Sequence, residues 1–171
     1  MTAATKIIDM SKKREPLLDA VDGLIKKSPV PFDEILAKVL ARLDCPLGTI
    51  HVVGPSGDLE LAAHANLPPP VIAKVKIVPI GKGMAGIAAE RKEPVQVCNL
   101  QSDTSGVVRP GAKLTQMEGS IACPMLDGAR VVGVLGVAKP VPYEFTAAET
   151  ELLMAVGKTL AGVVGTTPKK A

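Results

Sequence analysis

The sequence is poor in aromatic residues: it has no tryptophan, and Phe32, Tyr143 and Phe145 are its full aromatic complement. Single-stranded nucleic-acid platforms stack bases on exposed rings, so that mode of binding is excluded for want of side chains. Cysteine is scarce as well. Cys45, Cys98 and Cys123 are odd in number, widely spaced and without a Cys-x-x-Cys pair, so neither a disulfide framework nor a zinc knuckle is expected. Buried free thiols are the simplest reading. No window approaches the ~18 apolar residues of a membrane span, and Met1 to Met10 lacks the apolar stretch of a secretory signal. A cytoplasmic protein that does not engage a membrane is expected.

What remains is aliphatic. With 171 residues and 47% hydrophobic content, the chain is long enough for one core built from Val, Leu, Ile, Ala and Met. The net charge of +3 is concentrated in the ends, where Lys6, Lys12, Lys13 and Arg14 precede the apolar pattern and Lys169 and Lys170 follow it. The span between is slightly acidic, which fits solvated tails better than a phosphate-binding face and argues against nucleic acid as a partner. The expected layout is a flexible basic leader over 1–15, one domain over 16–165 and a flexible tail over 166–171.

Helical periodicity opens the domain. Pro16 stands where a first helical residue is tolerated, and Leu17, Leu18, Val21, Leu24 and Ile25 recur at helical spacing, which predicts a helix over 16–27. Phe32, Ile35, Leu36, Val39, Leu40 and Leu43 mark a second one ending near Asp44. From Leu47 the period drops to two: Ile50 and Val52 face one way, Thr49, His51 and Val53 the other. Gly54 to Gly57 turns the chain into a strand in which Leu59, Leu61, Ala63 and Ala65 are expected to share one buried face, and Pro68, Pro69 and Pro70 close it.

A strand around 76–80 leads through Gly81-Lys82-Gly83 into a short helix from Met84 to Arg91 and a strand from Pro94 to Cys98. Gln101 to Glu118 then reads as a long polar loop with a helical turn near 112–117, and loops of this length are usually lids or binding segments. Asp127-Gly128 between the apolar runs 121–125 and 131–137 is a hairpin signal. The second run is apolar on both faces and is expected to be central and covered on both sides. Thr146 with Glu149 forms a capping box that starts a final helix reaching about Gly165. The fold class expected is α/β of the α+β kind, a six-stranded antiparallel sheet sandwiched by helices.

The segments Thr49-Ile50-His51-Val52-Val53, Pro79 through Gly86, Pro94-Val95-Gln96-Val97, Pro124-Met125, Val132-Gly133-Val134-Leu135 and Phe145-Thr146, in this order and spacing, resemble the successive signatures of GAF domains over roughly 16–165. The resemblance implies a cytosolic regulatory module of signal transduction that holds a small molecule between sheet and lid and dimerises through its terminal helices. Cyclic-nucleotide-binding members carry an Asn-Lys-Phe-Asp-Glu set that Asn66 and Asn99 do not reproduce. Bilin-binding members attach pigment through a lid cysteine, and 101–118 has none, so no covalent chromophore is expected. Members that reduce free methionine sulfoxide use a cysteine in the glycine-rich turn, where this chain has Ala85, and another in the following loop. That redox enzyme is the alternative reading, with Cys98 and Cys123 as its thiols, and a dimerising scaffold without ligand is a third. No catalytic residue is assigned.

Gly81-x-Gly83-x-x-Gly86 also satisfies a dinucleotide fingerprint, but the antiparallel hairpin that follows argues against a Rossmann unit. The glycines are read as permitting a tight turn, with free helix amides available to an anionic group. His51 and His64 lie on neighbouring strands without an identifiable third ligand, so they are read as polar residues at a sheet edge and no metal is expected. The pocket is expected between the sheet and segments 84–91 and 107–117, with Met84, Ala85, Cys98, Arg109, Lys113, Met117, Ser120 and Ala122 as candidate lining residues. Arg109 and Lys113 are cations suited to clamping a carboxylate or phosphate. The ligand itself is an unidentified small molecule.

A homodimer is expected through Leu17, Val21 and Leu24 on the first helix and the small-residue stripe Gly157, Ala161 and Gly165 on the last, with Leu152, Val156, Leu160 and Val163 as the core stripe. No kinase, cyclase or helix-turn-helix segment is recognisable, which predicts output through a separate effector protein.

Overall fold

The structure is a computed structural model describing residues 15–105, 108 and 110–164. Residues 1–14 of the basic leader, the tail, Arg109 and Gly165 therefore lie outside the described residues. Helix α1 (Pro16–Leu24) begins with Pro16 at its first position, and Glu15 caps it by accepting from the Leu17 amide. Glu15 also receives the guanidinium of Arg42, at 2.7 Å, from helix α2 (Phe32–Leu43), tying the two helices together. The first helix is thus a turn shorter than its periodicity predicts. Beyond it come strands β1 (Leu47–Val53) and β2 (Leu59–Ala65).

Helix α3 (Pro69–Val75) follows at once, in a stretch expected only to break the chain. Its prolines occupy the first positions, where a missing N–H costs no intrahelical bond. Strand β3 (Ile77–Val78), helix α4 (Gly83–Arg91) and strand β4 (Val95–Val97) come next, then a 3-10 helix (Pro110–Thr115), strands β5 (Gly119–Asp127) and β6 (Arg130–Lys139), and helix α5 (Ala147–Val164).

The six strands form one sheet in the order β3-β2-β1-β6-β5-β4, with every pairing antiparallel. The order makes β6 interior, as its two-sided apolar run predicts, and the antiparallel pairing removes the dinucleotide-binding geometry. Gly86 is required instead by packing: a Cβ there would collide with the Pro79 carbonyl oxygen.

The two sides of the sheet differ. On one, α1, α2 and α5 cover a continuous core in which Val21, Ile35, Val39, Ile50, Leu153 and Leu160 are fully buried. Thr146 and Glu149 start α5 as a reciprocal capping box, each side chain accepting from the other's amide at 3.1 and 2.8 Å. Lys139, at the end of β6, is buried and donates to the Leu43 and Asp44 carbonyls at 2.7 and 3.0 Å. It thereby closes the C-terminus of α2 with a cation, the favourable sign for that end of a helix.

Two expectations are corrected on this side. The small-residue stripe is not a free face: a Cβ on Gly157 would meet Met125 Cγ at 3.2 Å and the Pro124 carbonyl at 3.4 Å, and Ala161 is fully buried. Leu17 and Val21 are buried in the same core, and the half-buried Leu24 packs against it. The dimer candidates among the described residues are thus packed within the monomer, and the small size of Gly157 and Ala161 lets α5 lie close to β5. Nor do the four residues of β2 share a face. Ile50 pairs with Ala63 and His51 with Leu61, so Ala62 forms a bulge. The bulge reverses the alternation, leaving Ala63 and Ala65 toward the helical core and Leu59 and Leu61 on the other side.

Candidate functional site

The other side of the sheet is hollow. A cavity of about 510 Å³ lies between the strands and a cover made of α3, the start of α4 and the 3-10 helix. Strand β1 supplies Leu47, Thr49 and His51; β5 supplies Ser120, Ile121 and Ala122; and β6 supplies Gly136, Val137 and Ala138. Val71, Lys74 and Val75 come from α3, Gly83, Met84 and Ala85 from α4, and Ala112 and Thr115 from the 3-10 helix. The wall is mainly aliphatic with a few polar groups, the composition usual for small-molecule sites.

The cover is tied down at its base. Gln101 Nε2 donates to the Lys113 and Met117 carbonyls at 3.2 and 2.8 Å, and the Leu100 amide donates to the Glu118 carbonyl at 2.7 Å. Thr115 closes the 3-10 helix by donating to the Ala112 carbonyl at 2.7 Å.

His51 is the most constrained polar residue on the wall. Flanked by β2 and β6, its strand is interior, so the imidazole is 2% exposed rather than sitting at a sheet edge. Nε2 lies 2.9 Å from the Val75 carbonyl. A carbonyl only accepts, so Nε2 carries the proton and Nδ1 presents a lone pair. That Nδ1 is the one buried side-chain nitrogen or oxygen without a hydrogen-bond partner among the described residues. Burial lowers the His51 pKa, against the opposing pull of the Val75 carbonyl, and so favours the neutral ring. His64 is exposed and is not part of the wall.

Of the sequence-predicted lining residues, the fold places Met84, Ala85, Ser120 and Ala122 on this cavity. Cys98 is outside it: one residue beyond β4, it is exposed on a separate shallow groove with Asn99 and Asp103. Lys113 is outside too, its side chain exposed to solvent, and Met117 packs near Leu47, Leu67 and Val71 rather than lining the cavity. Arg109 lies outside the described residues.

Sequence reasoning misses the contributions of α3 and the role of His51. A signal for each exists. Val71 and Val75 stand four apart behind a proline pair suited to a helix start, and the strand alternation puts Thr49 and His51 opposite Ile50.

The thiols do not converge on the cavity. Cys45 and Cys123 belong to the helical core, where burial pushes them up to about 11 and about 12. The expectation of buried thiols holds for these two and fails for Cys98. Among the described residues no group of three or more His, Cys, Asp or Glu is placed to hold a metal, and no helix is long and apolar enough to cross a membrane.

An α+β sandwich with one sealed face and one face hollowed beneath short helices is the class the geometry defines. The GAF domain family model matches residues 32–164, and the chain belongs to that family. Among solved structures, the GAF domain of an Acinetobacter phosphoenolpyruvate-protein phosphotransferase is similar with a TM-score of 0.73 at 20% identity, over 88% of this chain and 91% of that one. The free methionine-R-sulfoxide reductase of Neisseria meningitidis, in complex with its substrate, is similar with a TM-score of 0.71 at 16% identity, over 87% and 86%. The fRMsr of Staphylococcus aureus, also with substrate, gives 0.69 at 20% identity, over 86% and 93%. At these identities the likeness concerns the fold. No curated protein sequence matches.

Proposed function

We propose that this chain is a small-molecule-sensing regulatory GAF domain whose output passes to a separate effector protein. The observation that carries the reading is the aliphatic cavity of about 510 Å³, set against a helical face of the same sheet that is fully packed. Protein interiors close voids wherever packing is the only demand, so a hollow of this size with a few polar groups is a feature of binding sites. The cover rests on two small apolar clusters, one around Val71 and Leu67 and one around Val78 and Ala88, with a few hydrogen bonds at its base, an arrangement suited to reporting occupancy.

The placement of the thiols speaks against the reductase alternative. Ala85 stands on the cavity wall where the resembling enzymes have a cysteine, and the nearest strand thiol, Cys123, points into the helical core with its pKa raised to about 12. A homodimer, if formed, must use surfaces other than the Gly157 and Ala161 stripe.

The test is native mass spectrometry of freshly purified protein, followed by hydrogen exchange with the ligand so identified. Protection gained at 83–85 and 110–117 supports the reading, and protection gained only elsewhere contradicts it. Turnover of free methionine sulfoxide with a thiol reductant, lost in Cys98→Ser or Cys123→Ser, would establish the enzyme instead.

A further inference from the structure

The three elements that cover the cavity are held unequally. Helix α4 buries Gly86, Ala88 and Ala89 and packs on β4, β5 and β6, and the 3-10 helix is fastened at its base by Gln101. Helix α3 buries Val71 alone and starts without a side-chain cap. At seven residues it is too short to persist by itself, so its order depends on what lies beneath it. The chain is pinned on either side of it. Before the helix, Asn66 Nδ2 donates to the Pro46 carbonyl, and after it the Leu61 amide donates to the Lys76 carbonyl at 3.0 Å. Between those pins α3 is a strap across the cavity, with Val71, Lys74 and Val75 on the lining.

Among the described residues one hydrogen bond joins α3 to the sheet, from His51 Nε2 to the Val75 carbonyl at 2.9 Å. Val75 is the last residue of α3, where carbonyls have no partner within the helix, so an imidazole from the interior strand β1 supplies the missing donor. The ring's Nδ1 has no partner in this arrangement and gains water when α3 lifts, so the bond to Val75 opposes a pull toward opening. We infer that α3 is the gate of the cavity and His51 its latch: the helix lifts as a unit between Asn66 and Lys76 while α4 and the sheet stay in place, and the His51–Val75 bond sets how often it does. His51 is here a positioning residue, acting through α3. The inference rests on how α3 is held and not on the function proposed above.

The experiment reads the opening by thiol labelling of the full chain. Val71→Cys places a thiol at the buried position of α3, and Cys98→Ser in the same chain removes the exposed native thiol. Cys45 and Cys123, buried in the helical core, report opening of the whole domain in the same sample. With dithionitrobenzoate and peptide mapping, the introduced thiol should label faster than either native one. Its rate should change little in low urea, because a local opening exposes little surface, whereas the native thiols should follow the steep urea dependence of global unfolding. Adding His51→Phe, which keeps a ring and removes the donor, should speed labelling of the introduced thiol ~10-fold, as loss of one hydrogen bond implies. His51→Gln, whose amide keeps an N–H at the Nε2 position, should stay near the parent. Should His51→Phe not fold, His51→Asn, whose amide ends short of that position, takes its place with the same expectation. An introduced thiol that labels only at the rate and urea dependence of Cys45 and Cys123 would overturn the gate. A rate unchanged by loss of the donor would overturn the latch.

Discussion

The two faces of this sheet carry different side chains and have opposite outcomes. Under α1, α2 and α5, Ile50, Cys123, Met125 and Leu135 are fully buried against helices that interlock down to the backbone contact at Gly157. Under α3, α4 and the 3-10 helix, Thr49, His51, Ser120 and Ala122 border a void. The covering elements account for the contrast. The closed face is covered by helices of 9, 12 and 18 residues, while the open face has helices of 7 and 9 residues and a single-stretch 3-10 helix of 6. Short elements shield less area and leave space between them. On the proposed reading, stability belongs chiefly to the packed face and binding to the hollow one.

The sharpest way to break that comparison is to put the same charge on each face. Ala161→Glu places a carboxylate in a fully buried site without a partner and should cost about 4 kcal/mol or more in denaturant unfolding. Ala85→Glu, in the half-exposed first turn of α4 where a negative charge suits the dipole, should stay within about 1 kcal/mol of the parent. Equal losses would mean that the cavity face contributes to stability as much as the core does.

The pH dependence isolates the one titratable group buried on the cavity face. The folded His51 pKa is depressed, first by burial, while the unfolded chain takes up the proton near the usual value of 6.5. The unfolded state then binds more protons below pH 6.5, so stability should fall as pH is lowered through that value, with a slope of up to about 1.4 kcal/mol per pH unit. His51→Phe should remove this slope. The carboxylates of Glu149, held low by the Thr146 amide and Tyr143 hydroxyl against the opposing effect of burial, and of Glu15, held low by Arg42, lose their contribution in a more acidic window, below about 4.5. A profile unchanged between parent and His51→Phe near pH 6 would show that the imidazole is not held neutral.

Smaller effects should follow the same division. Thr146→Ala removes the acceptor for the Glu149 amide and should cost about 1 kcal/mol, read as a lower melting temperature. Gln101→Ala frees the Lys113 and Met117 carbonyls at an exposed site and should cost less than about 1 kcal/mol. Its larger sign should be faster amide exchange in the 3-10 helix, with the amides of α5 unaffected.

The legible parts of the fold are those with a strong local signal. Asp127-Gly128, the two-sided run of β6 and the Thr146 and Glu149 box each dictate one local structure, and the fold has all three. The β2 faces are not legible in the same way, because a period of two is kept only until a bulge, and nothing about Ala62 announces one. The prolines at 68–70 illustrate the opposite problem: they both end an extended segment and begin a helix, and the local pattern signals the first role more plainly than the second. The α5 stripe is ambiguous in principle, since small residues serve a close approach to a partner helix or to the molecule's own sheet, and tertiary context alone selects β5.

The candidate site is legible in part. Glycine turns and a polar loop mark where a cover lies, so Met84, Ala85, Ser120 and Ala122 can be anticipated on the cavity. Cys98 cannot be excluded from it by sequence, because whether a residue just past a short strand faces the cavity or the surface depends on how the chain leaves the sheet. His51 is visible as a strand histidine, but its burial depends on β6 pairing with β1 from more than eighty residues away.

The central claim is that the hollow face binds a small molecule. It is tested most directly by incubating the parent and Ala85→Trp with a small-molecule extract and recording native mass spectra of both, with circular dichroism confirming that each is folded. The account expects a complex of one defined added mass on the parent, released on denaturation and absent from the variant, whose bulkier side chain on the cavity wall takes up ligand space. No added mass on the parent, or the same complex on both proteins, would contradict it.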